Sequence, residues 1–286
     1  MQKKLIEQSK LIEQNKTIYD SMFPLYEQQH IEIFNRTEQT RIRTELQWAL
    51  GQILSSANPP RTLDFGAGTG NLTRHLLDLG THVTAADVSK KCLKHLIDAM
   101  GGTGRLNTIL LNGSNLAHVP AESFDMVATY SVLHHIPDYL ASVRELVRIM
   151  KPGGVIVIDH ENSPSFWESD ANYACYSDEL LKLTKEHKET FPKRFKRVFW
   201  RKGIFKYLRA VAWHLRNPCI GEGDIHVHSE DHIEWQAIRG CLEPACYILK
   251  EDDYLVCREV EYPAPVWEKW HKRTTDMRVV IARKEF

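Results

Sequence analysis

Net charge is the first thing this sequence lacks. Its 37 Lys and Arg are matched by 37 Asp and Glu, so the chain as a whole is no polycation seeking nucleic acid. It has no long apolar run either. No stretch reaches the roughly 18–20 residues that a membrane span requires, and residues 1–8 lack the apolar core of a signal peptide. Cysteine is sparse and unpatterned. Cys92, Cys175, Cys219, Cys241, Cys246 and Cys257 form no CxxC pair and show no zinc-finger spacing. A disulfide scaffold and a zinc ribbon are thereby disfavoured, and a cytoplasmic setting with buried thiols is expected.

What is present is ordinary globular material, 43% hydrophobic and 26% charged over 286 residues. That is enough for one substantial core, or one core with an elaborated lid. The balance of charge hides an asymmetry. Between Lys182 and Arg216 twelve Lys and Arg stand against two acids, Glu186 and Glu189.

Residues 5–16 repeat Leu-Ile-Glu-Gln-x-Lys at a period of six, which fits neither 3.5 nor 3.6 and so reads as a helical extension, not a coiled coil. Helical pattern continues over 18–54, with Tyr19, Phe23 and Tyr26 on neighbouring turns, until Pro59-Pro60 stops it. From Arg61 short apolar strands alternate with amphipathic helices, as in a parallel sheet with helices on both faces. Strands are expected at 62–65, 82–86, 108–111, 126–130 and 155–158. Helices are expected at 72–79, after a Ser89 cap, and at 139–150. After Glu161 this rhythm breaks. A Ser229-capped helix at 233–242 and two late strands near 247–249 and 277–282 follow. The expected organisation is an N-terminal helical extension (1–58), a cofactor-binding core (59–161), a helical basic cap insertion (162–224) and a C-terminal part of the core sheet (225–286). The fold class is α/β, a Rossmann-like doubly wound seven-stranded sheet.

The strongest chemical signal is Leu63-Asp64-Phe65-Gly66-Ala67-Gly68-Thr69-Gly70-Asn71. A strand that runs through glycines into a helix lets backbone approach a ligand closely and aims helix N–H groups at it. Dinucleotide sites space their glycines G-x-G-x-x-G, whereas this turn reads G-x-G-x-G with an Asp before it. Asp87 ends the next strand, 21 residues after Gly66, where a carboxylate would grip ribose hydroxyls.

With these residues the chain resembles the class I S-adenosylmethionine-dependent methyltransferases. The likeness is close over 61–161 and rests on Leu-Asp-Phe-Gly-Ala-Gly-Thr-Gly, Ala-Ala-Asp-Val-Ser and Ser-Phe-Asp-Met-Val. Tyr-Ser-Val-Leu-His-His-Ile-Pro-Asp and Lys-Pro-Gly-Gly complete it, in the style of the small-molecule branch of quinone and sterol methylating enzymes. The resemblance implies that Gly66, Ala67, Gly68 and Gly70 wrap the methionine part of S-adenosylmethionine. Asp64 would fix the loop or the cofactor's amino group. It also implies that Asp87 holds the ribose, Val88 lies along the adenine and Tyr130 lends a carbonyl near the methionine. Asn112, Gly113 and Ser114 stand where relatives often place an acid for the adenine amino group.

Methyl transfer mainly requires alignment and exclusion of water, with a base only where the acceptor must lose a proton. The candidates follow the fourth and fifth strands, at His134 and His135 and at Asp159, His160 and Glu161. His226, His228 and His232 could join them around a divalent ion, but ordinary pocket histidines are the commoner case, so no metal is assigned. Residues 192–216 read as an amphipathic helix with Phe195, Phe199, Phe205 and Leu208 on one face and basic residues opposite. A lid over the acceptor pocket is the plain reading, with peripheral contact to an anionic membrane or recruitment of an anionic substrate as the sharper ones. The acceptor expected is a small molecule, anionic or lipid-like, and no nucleic acid. A methyltransferase of tRNA or protein, a non-catalytic cofactor-binding regulator and a nicotinamide oxidoreductase are the rivals, the last disfavoured by the glycine spacing.

Overall fold

A computed structural model describes residues 10–13, 16–17, 26–54, 58–113, 116–190, 224–259 and 262–286. Two helical turns, Tyr26–Gln29 and Ile31–Phe34, precede α1 (Arg36–Leu50). The expected helix over 18–54 is thus broken at His30 and Asn35. Asn35 is extended, and its side chain accepts from Glu38 N (2.9 Å) while its amide donates to the Cys257 carbonyl (2.6 Å). An Asn that satisfies itself this way ends one helix and caps the next.

Then come β1 (Arg61–Phe65), α2 (Asn71–Asp78), β2 (His82–Asp87), α3 (Lys90–Met100), β3 (Leu106–Leu110) and β4 (Phe124–Tyr130). They are followed by α4 (Tyr139–Ile149) and β5 (Met150–Asn162). Strands β1 and β4 are buried along nearly their whole length, as central parallel strands covered on both faces must be. Ser89 caps α3 as expected, accepting from Cys92 N, and Asp138 caps α4 through Ala141 N. Beyond β5 lie α5 (Ala171–Thr190), α6 (Trp235–Leu242), β6 (Cys246–Tyr254), α7 (Pro265–Trp270) and β7 (Met277–Lys284). Ser229 caps nothing. It sits in the turn of a small hairpin, Val227–His228 against Asp231–His232, and α6 starts later, after Glu234.

The seven strands run in the order β3-β2-β1-β4-β5-β7-β6, with β7 antiparallel to both β5 and β6 and the rest parallel. One face carries a core with Leu63, Phe65, Val127, Leu146 and Ile156, the other a core with Leu76, Val83, Met126 and Val157. Helix α1 closes the second face through Ile42, Leu46 and Ala49. Strand order reverses between β1 and β4, which opens a crevice at their carboxyl ends, where ligands of such sheets bind. Helix α5 packs with α7 through Tyr176, Val266 and Trp270. No helix among the described residues is long and apolar enough to cross a membrane. Residues 192–216, read as a lid or membrane-contacting helix, lie outside the described residues.

Candidate active site

Two cavities meet over the carboxyl ends of β1, β4 and β5. The first, about 250 Å³, is mostly apolar and is lined by the glycine turn (Phe65, Gly66, Ala67, Gly68 and Thr69) together with Asp87, Val88, Leu111, Gly113 and Tyr130. The second, about 290 Å³, is polar and holds His30, Glu32, His134, His160, Glu161, Asp224, His226 and Arg258. Tyr26, Ile33, Ser131 and His135 line both, so the cavities share a wall.

The glycine turn forms because its residues must take positive φ, +77° at Gly66, +50° at Gly68 and +94° at Gly70. The three differ in what surrounds them. A Cβ at Gly66 would strike Val132 (2.4 Å) and one at Gly70 would strike Leu96 (2.5 Å), whereas one at Gly68 meets only the Gly66 carbonyl at 4.0 Å. Gly68 therefore leaves open space on the cavity side. Gly70 does not line the cavity at all, and its smallness serves the packing of α2 against α3, in contrast to the expected wrapping role.

Asp87 braces this turn, accepting from Gly68 N (2.8 Å) and Ser89 N (2.7 Å) while its side chain borders the cavity. Asp64 lies beneath, fully buried, and accepts from the Thr73 hydroxyl (2.6 Å). Burial pushes its carboxyl up to about 7, with the nearby Asp87 charge adding and the Thr73 hydroxyl opposing. Of the two roles offered for Asp64, this geometry matches fixing the loop. Gly113 lines the cavity, Asn112 is exposed and outside its lining, and Ser114 lies outside the described residues. Buried Thr69 Oγ1 and Asn71 Nδ2 border the cavity without a hydrogen-bond partner among the described residues. A cradle open at Gly68, a carboxylate, an apolar wall and these two polar atoms fit a sulfonium nucleoside joined to an amino acid.

The candidate chemical groups separate into three settings. Asp159 lines neither cavity. Its carboxylate accepts from Arg41 (3.0 Å) and from the Tyr254 hydroxyl (2.9 Å), while Arg41 also pairs with Glu38, which accepts from the Tyr130 hydroxyl (2.9 Å). Burial raises the Glu38 carboxyl against the opposing pull of Arg41. Asp159 is thus a bracing residue, a correction to its candidacy for chemistry.

The reversal at the next position has a backbone cause. Strand β5 bulges between Asp159 and Glu161, with His160 at φ +63°, and Ser131 at the end of β4 is also left-handed at +58°. Left-handed non-glycine residues clustered at strand ends are a mark of functional sites. The bulge turns His160 and Glu161 into the second cavity. The His160 ring stacks on Tyr130 at 4.5 Å, is buried, and neither ring nitrogen has a hydrogen-bond partner among the described residues. Burial first, then the charges of Arg41 and Arg258, hold its imidazole well below the usual histidine range.

Glu161 accepts from Val132 N (3.0 Å) and Leu133 N (2.7 Å), and its other oxygen lies 2.7 Å from His134 Nδ1. His134 and His135 occupy the 3₁₀ turn Leu133–His135, their rings 4.0 Å apart, with Asp224 Oδ1 3.1 Å from His135 Nδ1. Sequence reasoning missed Asp224, Arg258 and the N-terminal wall of Tyr26 and Ile33. The run Tyr19, Phe23, Tyr26 was a usable sign of the last, whereas nothing local to Asp224 or Arg258 marks them.

Residues 63–158 match the family described as the methyltransferase domain. The ubiquinone biosynthesis O-methyltransferase of Xanthomonas oryzae pv. oryzae is 28% identical over 160 residues, spanning 55% of this chain and 67% of that protein. The enzyme of the same name from Xanthomonas axonopodis pv. citri matches to the same extent. An S-adenosylmethionine-dependent methyltransferase structure from Mesorhizobium loti shares the fold, with a TM-score of 0.51, 18% identity, and coverage of 83% of this chain and 96% of that one. The matched stretch carries the glycine turn, Asp87 and most of the strand ends under the two cavities, and residues 63–158 are a methyltransferase domain of the S-adenosylmethionine-dependent kind, with S-adenosylmethionine as its cofactor.

Proposed function

We propose that this enzyme methylates a hydroxyl oxygen of a small phenolic metabolite, an O-methylation like the one named for its ubiquinone-biosynthesis relatives. The observation that carries this reading is the shared wall, in which an apolar cofactor-sized cavity meets a polar one at Ser131 and His135. Gly66, Ala67 and Gly68 hold the methionine end, Asp87 the ribose hydroxyls, and Val88 with Gly113 the adenine, with Asn112 at its rim. Gly70 and Asp64 support the turn from behind. Tyr130 closes the floor.

Bound S-adenosylmethionine supplies a methyl on a sulfonium, so a carbon–oxygen bond forms as the carbon–sulfur bond breaks and sulfur leaves neutral. The acceptor hydroxyl becomes strongly acidic as it takes the methyl, so a weak base suffices for its proton. His160 is that base. Its lowered pKa keeps it neutral near pH 7, with a lone pair free for the hydroxyl. His135 and Ser131 position the acceptor, and Tyr26 and Ile33 keep water from the wall between the cavities. The lysines and arginines of 182–216 are left to recruit an anionic or lipid-like acceptor.

Calorimetry with S-adenosylhomocysteine and methyl transfer to a panel of phenols test this reading. His160→Ala is expected to lower turnover about a hundredfold at unchanged S-adenosylhomocysteine affinity, with His160→Gln no better, since a glutamine cannot take a proton. Full turnover in His160→Ala, or transfer to amines and thiols but to no hydroxyl, would overturn it.

A further inference from the structure

We propose that His134, His135 and Asp224 form a binding site for a divalent transition metal of the zinc type, open toward the acceptor cavity. All three line that cavity, and their donor atoms lie within 4.8 Å of one another. Asp224 Oδ1 is 3.1 Å from His135 Nδ1 and 3.7 Å from His134 Nε2. A tetrahedral ion with bonds of about 2.0–2.1 Å sets its ligand atoms about 3.4 Å apart, a spacing these two distances bracket. The two imidazoles, whose donor atoms lie within 4.8 Å of each other, must draw together for the cluster to close on an ion.

The surroundings hold this geometry in place. Glu161, buried and anchored by the Val132 and Leu133 amides, takes His134 Nδ1 at 2.7 Å and so leaves Nε2 on the Asp224 side. A carboxylate on the far nitrogen of a ligating imidazole is what orients ligands and raises their basicity in zinc sites. Asp224 is delivered by backbone, since the Ile225 and His226 amides both donate to the His134 carbonyl (2.9 and 3.1 Å). Two imidazoles and one carboxylate suit zinc or cobalt, where magnesium and calcium would call for an all-oxygen shell. Three protein ligands among the described residues would leave a fourth position, as in catalytic sites. Because all three ligands line the cavity, the oxygen of a hydroxylated acceptor bound there could take that position and become more acidic. The identity of this fourth ligand rests on the function proposed above, while the ion's site does not.

The test uses the full chain, treated with chelator and titrated with Co(II) alone. One equivalent should produce visible absorption bands of a four- or five-coordinate ion, lost on addition of Zn(II). Asp224→Asn should weaken Co(II) binding by at least tenfold. Glu161→Gln should weaken it about 10- to 100-fold. Bound S-adenosylhomocysteine serves as the check that each variant is folded. A wild-type protein that binds S-adenosylhomocysteine but shows no bands would overturn the proposal, as would wild-type Co(II) affinity in Asp224→Asn. Stoichiometric bands without methyl transfer to any hydroxyl would defeat the acceptor reading and leave the metal site standing. Methylation of a phenol by chelator-treated protein that shows no Co(II) bands would do the reverse.

Discussion

Single carboxylates in this site act in opposite ways because their surroundings differ. Asp87 borders the cavity and spends both oxygens on backbone amides of the turn and of the helix that follows. Its replacement should therefore loosen the loop as well as remove the proposed ribose partner. Asp87→Ala is expected to weaken S-adenosylhomocysteine binding by about 1.5–3 kcal/mol, the scale of charged hydrogen bonds, and unchanged affinity by calorimetry would show that another group holds the ribose. Asp64 is the opposite case, a carboxyl that burial pushes up to about 7 from the ordinary aspartate value of 3.8. The folded chain then keeps this proton over a range where the unfolded chain has released it. Stability from this group is fully present below about pH 4 and falls as pH rises toward 7, by at most about 1.4 kcal/mol per pH unit. Asp64→Asn should flatten that fall. Equal slopes for the two proteins in denaturant titrations between pH 4 and 7 would contradict it.

At the scale of elements, the turn from β1 into α2 separates folding from binding. All three of its glycines require positive φ, but only Gly68 has open space around it. Gly66→Ala should be destabilised by the forced φ and by collision with Val132, each costing about 1–3 kcal/mol, and should lower the melting temperature visibly. Gly68→Ala carries only the first cost and should melt closer to wild type, yet lose most of its S-adenosylhomocysteine affinity, since its methyl group enters the cradle. Thermal unfolding with and without S-adenosylhomocysteine separates the two. A Gly68→Ala protein that is still stabilised by the ligand as strongly as wild type would show that the ligand does not approach this backbone.

At the scale of the molecule, one buried network ties the N-terminal helix α1 to the sheet. Arg41 reaches Glu38 and Asp159, covers the Tyr254 ring at 3.8 Å, and links through those acids to the Tyr130 and Tyr254 hydroxyls. Removing one partner of such a network strands buried charge. Arg41→Met is expected to cost about 3–5 kcal/mol, and Glu38→Gln with Asp159→Asn in the same chain should recover part of it. No recovery in the triple variant would mean that packing by Arg41, not its charge, is what α1 needs. Tyr130 floors both the network and the cofactor cavity, so the same lesion should also weaken S-adenosylhomocysteine binding.

Local chemistry was enough to make the sheet and its glycine turn legible in the sequence. Apolar strands, a Ser89 cap, the G-x-G-x-G spacing and a carboxylate at the next strand end each act over a few residues, and each sits in the structure near where the pattern put it. The division of the turn into a ligand-facing Gly68 and a packing Gly70 was not legible, because it depends on Leu96 and Val132 arriving from other elements. Nor was the fate of Asp159-His160-Glu161. Three successive titratable residues look alike along a chain, and only the bulge against β7 sends Asp159 to Arg41 while turning His160 and Glu161 into the second cavity. Asp224 and Arg258 join that cavity from more than sixty residues C-terminal to β5. Periodicity and spacing fix what neighbours in sequence do, whereas which distant charges share a wall is decided by how the strand ends pack.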